Sequence, residues 1–197
     1  GAGYRTMHIG KWHMGVATSG PKRQGFDGSF AEGLGGFPKS YWYPYGAPNA
    51  VPGGREGEYL TDRLTEEAER FLRENRDQPF FPHLSHYAVH SPIMAKKEVE
   101  ARYAARIKEA GLDARPTHLV QNNAVFAAMV ESVDESVGKV VSTLEELGLT
   151  DRTVVFFMSD NGGMLRSTCN LPLRAGKGTL YEGGIRVPLI VSWPGVT

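Results

Sequence analysis

Cys169 is the only cysteine in the 197 residues, so no internal disulfide can form and the redox compartment stays open. An excess of charge of one sign is also lacking. Lys plus Arg is 22 and Asp plus Glu is 22, giving 22 − 22 = 0. That balance gives no broad case for nucleic acid or an acidic membrane surface, although a local basic patch is compatible with it. No apolar run is long enough to span a membrane, and no secretory leader is recognisable. Neither absence assigns a compartment, because the opening Gly-Ala-Gly-Tyr-Arg reads as a start in mid-domain. Repeats and low-complexity tracts are missing, and the scattered glycines do not assemble a dinucleotide fingerprint. What remains is a length sufficient for one domain, one that buries about 70% of its unfolded surface.

The stretch that carries most information is 154–163, Val-Val-Phe-Phe-Met-Ser-Asp-Asn-Gly-Gly. Its five apolar residues have no polar alternation and predict a strand buried on both faces. Ser159, Asp160 and Asn161 then fall at the strand's C-terminal end, the edge where open α/β sheets place ligands. Asp160 and Asn161 both offer oxygen, the donor that calcium or magnesium prefers. A plain Asn-Gly turn is equally consistent with the spelling.

Similar patterns recur elsewhere. Residues 6–9 predict a short strand with Lys11 and His13 just beyond it, placed to hold an anion and move a proton. The alternative is a solvated Lys11 and a His13 packed beside Trp12. Residues 19–58, rich in Gly, Pro and aromatics, predict a long surface excursion, with Trp42, Tyr43 and Tyr45 among Pro38, Pro44 and Pro48. Most of those aromatics are expected to pin the loop to the core.

Residues 61–75 predict a helix capped by Thr61 or Asp62, and 79–85 a strand. His90 lies in the loop leaving that strand and is its site candidate, whereas His83 is a packed or capping histidine. Residues 95–110 predict a peripheral charged helix. Residues 120–147 predict a long one, striped by Val125, Met129, Val133, Val137, Val140, Leu144 and Leu147 and ended by Gly148. Asp134 and Glu135 read as solvated. Gly176, Gly178, Gly183 and Gly184 frame Lys177, a point charge that could face an anion. Residues 187–193 predict a last buried strand, and the helix–turn–strand order indicates an α/β class. Lys11, His13, His90 and Lys177 with Asp160 and Asn161 suit transfer of a sulfuryl or phosphoryl group, where charge on the oxygens must be balanced.

Three segments, in order, make the chain resemble the formylglycine-dependent sulfatases. They are Gly3-Tyr4-Arg5-Thr6 through Gly10-Lys11-Trp12-His13, then Ser159-Asp160-Asn161-Gly162-Gly163, then Gly176-Lys177-Gly178-Thr179-Leu180-Tyr181-Glu182-Gly183-Gly184-Ile185-Arg186-Val187-Pro188. Gly25-Phe26-Asp27 and the long helix extend the match over nearly the whole chain. The resemblance implies an alkaline-phosphatase-like fold: a mixed, mostly parallel sheet with helices on both faces, here truncated at both ends. It implies that Lys11 and His13 hold the formylglycine hydrate, that His90 and Lys177 bind the sulfate ester and assist the leaving oxygen, and that Asp160 and Asn161 are two ligands of Ca2+. One hydroxyl of the hydrate would attack sulfur and the second would expel inorganic sulfate. Substrates would be sulfate esters of a small aryl compound or a glycan, acted on in a periplasmic, extracellular or lysosomal setting.

The departures from that pattern are specific. The nucleophile motif, Cys- or Ser-x-Pro-x-Arg, and two further metal aspartates belong before the Gly-Lys-Trp-His segment, which here begins almost at residue one. Ser19-Gly20-Pro21-Lys22-Arg23 fits by spelling but follows His13 and is expected to enter a loop. Cys169-Asn170-Leu171-Pro172 has one residue too many before the proline. Val89 and Ala175 replace residues the family often has as proline and glycine. The expectation is that residues 1–197 are the central part of a sulfatase catalytic domain, without the nucleophile segment or the C-terminal subdomain. Such a piece should be inactive alone and bind calcium weakly. The competing readings are a phosphate or phosphonate monoester hydrolase of the same superfamily and a non-catalytic binder of sulfated glycans.

Overall fold

Strand β1 (Arg5–Gly10) lies between β2 (Gly28–Phe30) and β3 (Phe80–Ser85), parallel to both, in the order β2-β1-β3. This arrangement comes from a computed structural model in which residues 2–47 and 49–197 are described; Gly1 and Pro48 lie outside them. The chain divides into two compact units. The first is Gly1–Met94 with Met129–Leu149, and the second is Ala95–Ala128 with Thr150–Thr197.

In the first unit, α1 (Leu60–Asn75) packs on β1 and β3. Leu60, Leu64, Ala68, Phe71 and Leu72 recur every three or four residues and are all buried, the pattern that drives an amphipathic helix onto a sheet. Burying one such leucine or phenylalanine is worth about 1.5–3 kcal/mol. Neither Thr61 nor Asp62 caps it: the helix begins at Leu60, after Tyr59, with no side-chain cap. Thr61 is buried inside the first turn instead, where its carbonyl accepts from Thr65 Oγ1 at 2.7 Å. Most of α3 (Ala124–Glu146), from Met129 on, belongs to this unit. The helix starts four residues later than the periodicity predicts. Asn123 ends the preceding loop by accepting the Phe126 N–H on Oδ1 at 3.1 Å. Its buried line is Met129, Ser132, Ser136, Thr143 and Leu144, so the apolar stripe is displaced by small hydroxyl residues that let α1 and α3 meet. Thr65 Oγ1, Ser136 Oγ and His86 Nε2 form a chain at 2.6 and 3.2 Å. Gly148, at φ 64°, ends the helix as expected, with Leu149 N–H donating to Leu144 O.

The excursion 19–58 is more deeply built than a surface loop. Tyr41, Tyr45 and Tyr59 are fully buried, and Tyr87 joins them. Tyr41 Oη donates to the carbonyls of Tyr87 (2.7 Å) and His90 (2.9 Å), Tyr59 Oη to Met94 O (2.7 Å) and Tyr87 Oη to Ala31 O (2.7 Å). Burial pushes all three phenols above their ordinary range, so they remain protonated donors. On the sheet, His8 pairs with His83 across the register, Nδ1 to Nδ1 at 3.1 Å. His8 Nε2–H donates to Gly10 O at 3.2 Å, which makes its Nδ1 the acceptor of the His83 proton. Burial and the neighbouring His83 lower the His8 pKa to about 4.

The second unit holds α2 (Lys97–Glu109), which buries no residue and is peripheral as predicted. Its sheet is a two-stranded antiparallel pair, β4 (Val155–Met158) with β5 (Leu189–Ser192). The expectation of strands buried on both faces fails here. Phe156 and Met158 are 67% and 62% exposed, and Leu189 and Ile190 are 59% exposed. An uninterrupted apolar run reports that both faces are suited to burial, and among the described residues the face of Phe156, Met158 and Leu189 is uncovered and Ile190 is exposed on the other. The short helix α4 (Glu182–Ile185) lies between the two strands in sequence.

Candidate functional site

The polar residues at the strand exits are fixed by two different constructions, one in each unit. In the first, β1 ends at Gly10, whose φ is 99° and where a Cβ would overlap Ser85 O. Only glycine lets the strand pass that close to the end of β3. Lys11 N–H then donates to Ser85 O at 2.7 Å, which sets the half-buried Lys11 at the C-terminal edge of β1 and β3. His13 is exposed, and it does not pack beside Trp12. Trp12 turns inward against His8 at 4.9 Å and Phe26 at 6.3 Å, donating Nε1–H to Ser19 O. The His13 ring lies instead against the backbone of Gly36. His90 is half-buried in the loop after β3; its N–H donates to Tyr87 O at 2.9 Å. The ring Nδ1 lies 2.7 Å from Ser91 O, so Nδ1 carries the proton and Nε2 is presented. Phe37, one residue after Gly36, stacks on the His90 ring with centroids 5.4 Å apart and planes at 8°. The first unit therefore brings Lys11, His13 and His90 to one edge, and His13 and His90 to one turn.

In the second unit, Ser159 Oγ donates to Asn161 O at 2.7 Å and fixes the turn after β4. Asn161 Nδ2 donates to Gly162 O at 3.0 Å, which leaves Oδ1 as the presented atom. Asp160 is exposed beside it. Gly162 N–H donates to Gly184 O at 2.9 Å, and a Cβ on Gly162 would overlap Gly183 O, so the glycines permit direct backbone contact. Lys177 N–H donates to Gly163 O at 3.0 Å. Asn170 clasps both loops: its Oδ1 accepts from Gly163 N–H at 3.2 Å, and its Nδ2 donates to Gly163 O at 2.8 Å and Ala175 O at 3.1 Å. Nearby, Arg174 lies over the Tyr181 ring at 3.8 Å. Asp160, Asn161 and Lys177 are thus joined through one interlocked backbone.

Asn170, Gly36 and Phe37 are the positions that sequence reasoning passed over. Asn170 was hidden in the Cys-Asn-Leu-Pro segment, and the Gly-Gly-Phe spelling of 35–37 has no signal of its own. Cys169 is a loop residue as expected: its carbonyl and N–H are both held by the Gln121 amide, at 2.6 and 3.3 Å. Ser19 precedes a one-turn 3-10 helix, Pro21–Gln24, rather than an irregular loop. The oxygens of Asp160 and Asn161 fit a hard cation as two of its donors. Among the described residues no group of three or more His, Cys, Asp or Glu is gathered to hold a metal, and no helix is long and apolar enough to cross a membrane.

A parallel sheet with a helix packed on it, and lysine and histidine at the C-terminal edge of its strands, defines an α/β protein. The Sulfatase family model matches residues 1–197, and the chain belongs to that family. It is 41% identical over 148 residues to a sulfatase of Formosa agariphila, covering 70% of this chain and 25% of that protein. It is 32% identical to N-acetylgalactosamine-6-sulfatase of Mus musculus, covering 98% of this chain and 38% of that one. The crystal structure of Ps i-CgsB superposes with a TM-score of 0.75 at 36% identity, covering 98% of this chain and 45% of the other; the same protein is known in complex with k-i-k-neocarrahexaose. The chain thus spans about a quarter to two-fifths of these curated relatives, and its fold is the alkaline-phosphatase-like α/β fold of its structural neighbours.

Proposed function

We propose that the whole protein carrying this chain hydrolyses sulfate monoesters of a carbohydrate or aryl alcohol. The observation that carries this reading is the meeting of His13 and His90 on one turn at the edge where Lys11 leaves β1. A relative named for an N-acetylgalactosamine sulfate and a structure solved with neocarrahexaose favour the carbohydrate.

In this reading Lys11 and Lys177 place ammonium charges on the sulfate oxygens, where negative charge grows as the S–O bond breaks. His90 presents Nε2 to the leaving oxygen as its proton donor, and its Nδ1–H bond to Ser91 O keeps Nε2 the outward nitrogen. His13 handles the proton of the attacking group. The formylglycine expected outside residues 1–197 would supply the attacking hydroxyl. Asp160 and Asn161 would hold calcium, which offsets charge on the same oxygens. Calcium takes about six to eight oxygens. Two donors therefore leave the 197-residue chain with weak affinity of its own, and tight one-to-one calcium binding in calorimetry would contradict this.

Residues 1–197 are on this reading the central part of a catalytic domain and are inactive alone. The test is a parallel assay of the whole protein on aryl sulfates, sulfated oligosaccharides, and phosphate and phosphonate esters. Sulfate turnover that falls by about 100-fold or more in Lys11→Ala, His90→Ala and Lys177→Ala is the expected result, the scale of losing one preorganised charge-stabilising group. Preference for phosphorus esters, or robust sulfate hydrolysis by the 197-residue chain alone, overturns it.

A further inference from the structure

Phe37 is 53% exposed, more than any other aromatic residue of the 19–58 segment. Tyr41 and Tyr45, a few residues on, are buried with their hydroxyls bonded. Phe37 has no such anchor. Its defined contact is the face of His90, nearly parallel at 8°. The residue before it, Gly36, lies against His13, where a side chain would collide with the imidazole.

A histidine ring has two torsions to fix. The His90 backbone is held by its N–H bond to Tyr87 O and by the Tyr41 hydroxyl on its own carbonyl. The Nδ1–H bond to Ser91 O fixes which nitrogen faces outward. One hydrogen bond fixes a direction but leaves the ring able to pivot about it. A flat partner on the ring face removes that pivot, because aromatic rings keep contact only within a narrow range of tilt and offset.

We propose that Phe37 is a positioning residue that sets the plane of the His90 imidazole, and that the 35–37 turn thereby couples the placement of His90 to that of His13. This rests on the reading of His90 as the group that serves the leaving oxygen. Phe37 itself touches no reacting atom. Its contribution is to keep Nε2 aimed, and misaiming a catalytic group by about 1 Å costs on the order of 100-fold in rate.

The experiment uses the whole protein with 13C- and 15N-labelled histidine and the variants Phe37→Ala, Phe37→Leu, Phe37→Tyr and Phe37→Trp. In Phe37→Ala the His90 ring resonances are expected to lose the ring-current displacement of the stack and the nitrogen shifts to move from the Nδ1–H tautomer toward an average. In the same variant kcat falls by about 10- to 100-fold with KM within about threefold. Tyr and Trp restore both readouts. Leu, which fills space without a flat face, restores neither, and it also serves if the alanine variant does not fold. Unchanged His90 nitrogen shifts and tautomer in Phe37→Ala and Phe37→Leu overturn the inference, as does full rescue by Leu. The two levels separate cleanly. If the resonances respond but the wild-type protein hydrolyses no sulfate ester, the positioning role stands and the functional reading falls.

Discussion

The two units immobilise their polar loops with opposite chemistry. The first uses large side chains: buried tyrosine hydroxyls reach across the loop to the carbonyls of Ala31, Tyr87, His90 and Met94. The second does nearly without side chains. Its glycines bring backbone directly onto backbone, and two carboxamides, Asn170 and Gln121, close the remaining gaps. Each solves the same problem, since a buried carbonyl without a donor is costly. The difference lies in what can disturb them. Unit one depends on filled volume and on histidines kept neutral. Unit two depends on close approach and on groups that do not titrate.

Acid is therefore the sharpest way to separate them. His8 and His86 are both lowered to about 4 from 6.5, chiefly by burial. Between those values the unfolded chain binds more protons than the folded one. Stability is full above about pH 6.5 and is lost as pH falls toward 4, by about 3 kcal/mol for each histidine. The exposed Asp27, held low by the N–H and hydroxyl of Thr6, acts only at more acid pH, through its own lowered range. Hydrogen exchange at pH 7 and pH 4.5 should show protection lost first in β1, β3 and α3, with the amides around Gly163 and Lys177 changing less. His8→Asn and His86→Asn should each remove about half of the pH-dependent change. Equal loss in both units would dissolve the contrast.

Volume is the next lever. Tyr41→Ala should cost about 3–5 kcal/mol, the range for emptying a large buried aromatic. Tyr41→Phe keeps the volume and strands two carbonyls, at about 1–3 kcal/mol. Urea midpoints measure both. If Phe is as damaging as Ala, the hydroxyl and not the packing holds the unit-one loop.

Much of the frame behind this contrast was legible in the spelling. The strands at 5–10 and 80–85, α1 and α2 announce themselves by period and by their stops, and Lys11 and His90 fall beyond strand ends as expected. The three-residue β2 was not visible, because Gly28–Phe30 is too short for any pattern and is made a strand by its pairing with β1. The start of α3 was misjudged because Gln121 and Asn122 have helical neighbours but spend their amides on Cys169, Leu112 and Arg115. The joining of His13 and His90 through Gly36 and Phe37 spans contacts that no local period encodes. The exposed faces of Phe156 and Met158 show the converse limit: an apolar run states what a strand is suited to, not what covers it.

For the second unit, the matching test is the amide clasp. Asn170→Asp keeps size and shape but turns a donor into an acceptor facing Gly163 O and Ala175 O. The loss should be about 2–3 kcal/mol, two hydrogen bonds forfeited and a carboxylate set against carbonyls. In the whole protein, calcium affinity and kcat should fall together, since Asp160, Asn161 and Lys177 share that backbone. A change in kcat with calcium affinity intact would detach Asn170 from the loop proposed to hold the cation.

The smallest effect concerns the surface, and it shows which contacts the first unit does not rely on. Arg73 meets Glu146 at 2.8 Å, joining α1 to α3 where both side chains are about half exposed. Deeper along the same helix pair, Thr65 and Ser136 are linked out of water, and Ser136 reaches the half-buried His86 beyond β3. Exposed pairs are worth about 0.2–1 kcal/mol and fade in salt. Glu146→Gln should move the urea midpoint within that range, with no shift left at 1 M NaCl. Ser136→Ala, which leaves His86 Nε2 without its hydrogen-bond partner, should cost about 1–3 kcal/mol at any salt concentration. A salt-sensitive Ser136→Ala, or an Glu146→Gln effect as large, would mean the helices are held at their rim rather than by the buried chain of hydroxyls.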